Sequence, residues 1–243
     1  MEEIGKSAGC YEMTEELAYI IGVYLGDGSV YSNKKNKYLV FSLEVIDLEF
    51  AQKTKNAIEK IIGHSLRDIK IRHRNNCRSG LSYRIRCYDY KLCKFLVDSC
   101  NGKQIIPEFI PLGRNILAKG LMEGLMDSEG CVWNYKKIQP RYKSKTFKMQ
   151  ISMNTVRVID RLAEYFKAYG VKTHGRRVRI LPSGKEHIEY TICLLDYMQT
   201  DLKFNINRKQ NKIEEYRQQL LASSETEIFT KNRKNTVSPL HKQ

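Results

Sequence analysis

The chain is written twice, and this constrains its fold more than any other feature of the sequence. IEKIIG ends at Gly63 and AEYFKAYG ends at Gly170. SYRIRCYDY and EYTICLLDY pair Tyr83 with Tyr190, Ile85 with Ile192, and Asp89-Tyr90 with Asp196-Tyr197. Asn101-Gly102-Lys103-Gln104 matches Asn207-Arg208-Lys209-Gln210, and near the start of each copy Asp27-Gly28 lines up with Glu129-Gly130. Four landmarks in one order at nearly one offset define a tandem duplication. A chain of 243 residues therefore divides into two similar units, each of about 100 residues and together able to bury a sizeable core.

Each copy reads as αββαββα. Thr14 is placed to cap a helix over 15–27, with Glu15 and Glu16 in its first turn. YLVFSLEV sets Leu39, Phe41 and Leu43 against Val40, Ser42 and Glu44, which is strand period. Asp47 is placed to cap a helix that stops at Gly63. Residues 67–75 and 81–88 alternate again around the turn NNCRSG, and a helix near 89–100 follows. The second copy repeats this with strands near 131–137 and 145–153 and a helix over 155–169 capped by Asn154. Its hairpin turns at LPSGK and its last helix covers 208–221. The expected organisation is an N-terminal repeat at 1–100, a linker holding Pro107 and Pro111 at 101–114, a C-terminal repeat at 115–222, and a basic, flexible tail at 223–243. The fold class is α+β.

Ala18, Gly22 and Gly26 fall on one face of the first helix, and Gly120, Gly124 and Ser128 on the matching face of the second. Two matched stripes of small residues let two helix backbones approach closely, so the copies are expected to pack through these helices about a pseudo-twofold axis. Asp27 and Glu129 then emerge at the same end. A helix C-terminus is already partly negative, so two carboxylates there call for a cation. Mg²⁺ is the hard, oxygen-loving ion that fits, and ions at a shared site can activate water against a phosphodiester. The alternative is that the acids, Asp127 among them, only cap the following turns.

The 42 Lys and Arg against 27 Asp and Glu leave a net charge of +15, which points to an anionic polymer or surface as partner. No run of 18 apolar residues and no basic-then-apolar leader occurs, so neither a membrane span nor a secretory signal is expected, and the expected location is cytoplasmic or within an organelle. The seven cysteines form no CxxC pair and the histidines do not fall at zinc spacings; buried reduced thiols are the expectation.

IIGVYLGDG and MEGLMDSEG resemble the two signature motifs of LAGLIDADG homing endonucleases in their single-chain, double-motif form. The likeness spans roughly 14–220 and is most specific at Gly124, Leu125, Asp127, Glu129 and Gly130. It implies motif helices at the interface of two repeats and saddle-shaped antiparallel sheets gripping double-stranded DNA. It also implies two or three divalent ions, Mg²⁺ or Mn²⁺, held by Asp27 and Glu129, with the backbone carbonyls of Gly26 and Ser128 adding ligands. A lysine near each site is a further implication, met here by Lys103 and Lys209, which read equally as surface lysines. Where relatives carry Gln or Lys at the turn from first sheet to middle helix, this chain has Glu44-Val45 and Met153-Asn154.

Strand alternation sorts the basic residues. Lys70, Arg72 and Arg74 share a face opposite Ile69 and Ile71, and Arg84 and Arg86 share one opposite Tyr83, Ile85 and Cys87. Arg177 with Arg179, and Lys148 with Gln150, line up likewise. One face of each sheet is expected to be apolar and helix-covered, the other cationic and DNA-facing, since a β-ribbon fits the major groove. The expected activity is metal-dependent double-strand cleavage of a long asymmetric site in intron homing, by a monomer. The alternative is an RNA maturase that binds its host intron. A regulator that has lost the acids fits less well, and the Met start and the end SPLHKQ favour a free-standing enzyme over an intein insert.

Overall fold

The computed structural model describes residues 11–33, 38–73, 80–136 and 145–236. The first copy runs α1 (Glu15–Leu25), β1 (Ser29–Asn33), β2 (Tyr38–Val45), α2 (Leu48–Ile62), β3 (Lys70–His73), β4 (Leu81–Cys87) and α3 (Tyr90–Ser99). The second runs α4 (Ile116–Glu129), β5 (Gly130–Lys136), β6 (Lys145–Met153), α5 (Val156–Ala168), β7 (Thr173–Ile180), β8 (Glu186–Ile192), α6 (Leu194–Met198) and α7 (Asn207–Thr236). Each copy forms one antiparallel sheet, ordered β1-β2-β4-β3 in the first and β5-β6-β8-β7 in the second. The duplication read in the sequence is thus a duplication of topology, and the class is α+β.

Local chemistry accounts for most element ends. Thr14 Oγ1 accepts from Leu17 N at 3.2 Å and starts α1, and Asn115 Oδ1 accepts from Ala118 N at 2.8 Å and starts α4. Gly63 closes α2 in the left-handed region at φ 74°. Two expected caps are absent. Asp47 sits at the start of α2 without a capping bond, because Arg208 takes its carboxylate. Asn154 gives way to Thr155 at the start of α5, its side chain meeting His187 instead.

Helices α1 and α4 pack along the two small-residue stripes at the centre of the molecule. A methyl on Gly22 would press on the Leu121 carbonyl and lie 2.9 Å from Leu125 N. One on Gly124 would press on the Tyr19 carbonyl and lie 3.0 Å from Val23 N. Gly120 is held similarly against Glu15, and Ala18 is buried against the same surface. The backbones are in contact, which only small residues permit. From this pair the core spreads under both sheets, where Phe41, Leu43 and Ile85 in one copy and Met149, Ile151 and Ile188 in the other are buried.

Three expectations change. Helix cover does not reach the outer strands: Ile71 on β3 is 63% exposed and Ile180 on β7 65%. The helical backbone of α7 continues to Thr236, past the expected boundary at 222 and into the stretch read as a tail. Between β8 and α7 the second copy carries a further helix, the five-residue α6, which the αββαββα reading did not include. Among the described residues no helix is long and apolar enough to cross a membrane.

Candidate active site and nucleic-acid face

The two motif helices end side by side. A methyl on Gly26 would strike the Ser128 side chain and lie 3.3 Å from Glu129 Cγ, so the tip of α1 abuts the tip of α4. Asp27 reaches solvent and Glu129 is half-buried. Burial, then the charge of Asp27, pushes the Glu129 carboxyl up to about 7. Burial also raises Asp27, even though its surface stays open to water; Lys209 and Lys103 oppose the rise and Asp47 adds to it. Two carboxyls at one tip resist ionising together, and a positive charge placed between them would relieve that. Among the described residues no group of three or more acidic, His or Cys side chains gathers for a metal, so any ion held by this pair would need other oxygens as well. That suits Mg²⁺, which keeps waters and takes substrate phosphates as ligands.

Each tip carries a lysine. Lys103 Nζ donates to the carbonyls of Gly26 at 2.5 Å and Gly28 at 2.9 Å. Lys209 Nζ, buried, donates to the carbonyls of Met126 at 3.1 Å and Asp127 at 2.6 Å. An ammonium on carbonyls at a helix C-terminus adds a donor where acceptors outnumber donors and complements the helix dipole. These are not free surface lysines. The Gly26 carbonyl, expected as an added metal ligand, accepts from Lys103 here, and Ser128 Oγ turns back to the Gly124 carbonyl at 3.0 Å. Burial lowers both lysines, Lys209 to about 8.

The copies hold their lysines by different means. Asn101, Gly102 and Lys103 occupy the left-handed region in succession, at φ 45°, 59° and 74°. Left-handed backbone at two non-glycine residues is strain of about 1 kcal/mol or more each, stored where the side chain is aimed. Lys209 instead lies in the first turn of α7, which the first repeat clamps. Arg208 Nε and Nη2 pair with Asp47 at 2.6 and 2.8 Å, and Asn207 N donates to Glu49 Oε1 at 3.0 Å.

Behind the tips lies a polar network that sequence reasoning missed. Asp127 accepts from Tyr19 Oη across the helix interface, and from both Asn205 N and Asn205 Nδ2, each at 2.8 Å. It is therefore a structural bridge, not a turn cap. Glu123, also buried, has one oxygen without a partner, and burial pushes its carboxyl up to about 7.

The strand basic residues do lie on the helix-free sheet faces, but mostly engaged with acids. Glu44 meets Arg72 Nη1 at 3.3 Å and Arg84 Nη1 at 3.8 Å. Glu189 meets Lys148 Nζ and Arg179 Nη2, each at 3.1 Å. Lys70 lines a small cavity with Arg84 and Arg86, Gln150 is buried against the Glu189 carboxylate, and Arg177 is exposed in register with Glu189. Arg74 lies outside the described residues. Glu189 could have been found from strand period, since it shares phase with Thr191 on the polar face.

No family model matches the chain. An uncharacterized protein of Methanocaldococcus jannaschii, MJ0398, is 30% identical over 122 residues, covering 50% of this chain and 41% of that protein. The chain thus spans about two fifths of the length of the curated relative it matches. The solved structures to which it is similar include LAGLIDADG homing endonucleases. I-DmoI in complex with DNA and Mn aligns at 13% identity and a TM-score of 0.49, over 77% of this chain and 94% of that one. I-GzeII in complex with its DNA target aligns at 15% identity and 0.47, over 90% and 94%. I-WcaI bound to its DNA recognition sequence aligns at 13% and 0.49, over 81% and 85%.

Proposed function

We propose that this chain is a LAGLIDADG-type endonuclease that makes a double-strand break in a long, asymmetric DNA site, as an intron-homing enzyme would. One observation carries the reading: Asp27 and Glu129, one from each copy, meet at a single edge of the helix interface, each beside a lysine fixed on the same helix end. Asp27 and Glu129 would hold two or three divalent ions, Mg²⁺ or Mn²⁺. Bound there, the ions supply an activated water and neutralise charge at the scissile phosphates.

The chain's own residues do the rest. The duplex lies across the helix-free faces, where Lys70, Arg86 and Arg177 meet phosphates or base edges. Each acid serves one strand, because the pseudo-twofold relation places one beside each backbone. Lys103 and Lys209 hold the tips of α1 and α4 in place and bring positive charge beside the phosphates, stabilising charge that grows as the bond breaks. Because the faces differ in sequence, the two half-sites differ too. Duplex DNA carrying the target, incubated with Mg²⁺ or with EDTA, tests the reading. Metal-dependent linearisation is expected, with Asp27→Asn or Glu129→Gln binding normally and failing to linearise. Full cleavage by either variant would overturn the assignment.

A further inference from the structure

Each sheet carries one largely buried carboxylate on its helix-free face, and the two copies supply it from different strands. In the first sheet Glu44 of β2 accepts from Ser82 Oγ at 2.8 Å and pairs with Arg72 and Arg84. In the second, Glu189 of β8 pairs with Lys148 and Arg179 and lies against Gln150. Strand register shows what has changed. Glu44 stands opposite Arg84 and Gln150 opposite Thr191, and the repeat matches Arg84 to Thr191 and Ser82 to Glu189. The acid and its neutral polar neighbour have therefore exchanged strands between copies. A carboxylate remains on this face of each sheet, and basic residues remain around it.

A buried carboxylate is costly, and here it also cancels positive charge on a face meant for a polyanion. Burial by itself would raise Glu189; Lys148 and Arg179 outweigh it and keep it ionised. The same faces leave Arg84 Nε, Arg86 Nε and Gln150 Oε1 buried without partners, as polar groups arranged for something yet to bind would be.

We propose that Glu44 and Glu189 are positioning residues for sequence recognition, holding Arg72 with Arg84 and Lys148 with Arg179 at fixed angles so that they read base edges of duplex DNA. The proposal rests on the sheets being the DNA-binding faces. Without its carboxylate, an arginine is free to turn to the nearest phosphate, which strengthens binding to any sequence and weakens choice among sequences.

The test is selection of bound duplexes from a randomised pool, with binding to one arbitrary duplex measured alongside. Glu44→Gln is expected to lose preference about tenfold at positions in one half of the selected site, and Glu189→Gln in the other half. Binding of both to the arbitrary duplex should be unchanged or tighter. Glu164→Gln, removing an exposed acid of α5, should alter neither half. Variant pools that converge on the wild-type sequence with wild-type stringency overturn the positioning role alone. A wild-type protein that selects no sequence overturns the reading of the sheets as DNA faces, and the inference with it.

Discussion

Glu123 brings a carboxyl into the helix interface with one oxygen unpartnered, and its consequence is measurable. Its folded value of about 7 lies above the ordinary 4.5, so between those pH values the native state binds more protons than the unfolded chain. The contribution of Glu123 to stability then falls as pH rises from about 4.5 to about 7, by an amount on the order of 3 kcal/mol, and Glu129, also pushed up to about 7, adds a slope of the same sign. Glu123→Gln should remove its share of that slope, melting higher than wild type at pH 8 and nearly the same at pH 4.5 in thermal denaturation. Equal melting of the two proteins at pH 8 would contradict the account. At this scale a repeated motif marks Asp27, Glu129 and both lysines at matching positions, and the structure brings all four to the adjoining helix tips. The sequence did not disclose the roles of Asp127 and Glu123, since their partner Asn205 lies some eighty residues on, with no local pattern to connect them.

Among the elements, the α1–α4 contact depends on backbone touching backbone. Gly124→Val forces a branched side chain against the Tyr19 carbonyl, at a cost of about 1–3 kcal/mol. In a chain this long each kcal/mol lowers Tm by roughly 2–4 °C, so calorimetry should record a drop of several degrees. The clamp at the start of α7 makes a second prediction. Asp47→Asn releases Arg208, loosens the first turn of α7 and exposes the Lys209 amine. Acylation read by mass spectrometry should rise several-fold at Lys209 and stay constant at Lys103, which a separate turn holds. Equal reactivity of Lys209 in both proteins would show that the clamp does not position it. Strand period and the small-residue stripes made helices, sheets and their pairing legible. Asp47 was misread because a local cap and a partner from the other repeat compete for one carboxylate, and only three dimensions show that Arg208 wins.

Taken whole, the molecule is a +15 chain whose two sheets each offer a polar, basic face beside a common pair of acids. Binding to arbitrary duplex DNA should weaken steeply with salt, with a slope of log K against log[salt] on the order of −5 for about six neutralised phosphates. A slope near zero would remove electrostatics as the basis of binding. The duplication made the global arrangement readable from sequence, whereas the exposure of Ile71 and Ile180 was not, because alternation reports a strand's faces and not how far a helix extends over them. The central claim is that Asp27 and Glu129 share divalent cations at the helix tips. Anomalous diffraction from crystals of the DNA complex soaked in Mn²⁺ measures this directly. The account predicts manganese peaks within bonding distance of both carboxylates, lost from one side in Asp27→Asn and from the other in Glu129→Gln. Peaks confined to other parts of the molecule, with none at either acid, would contradict it.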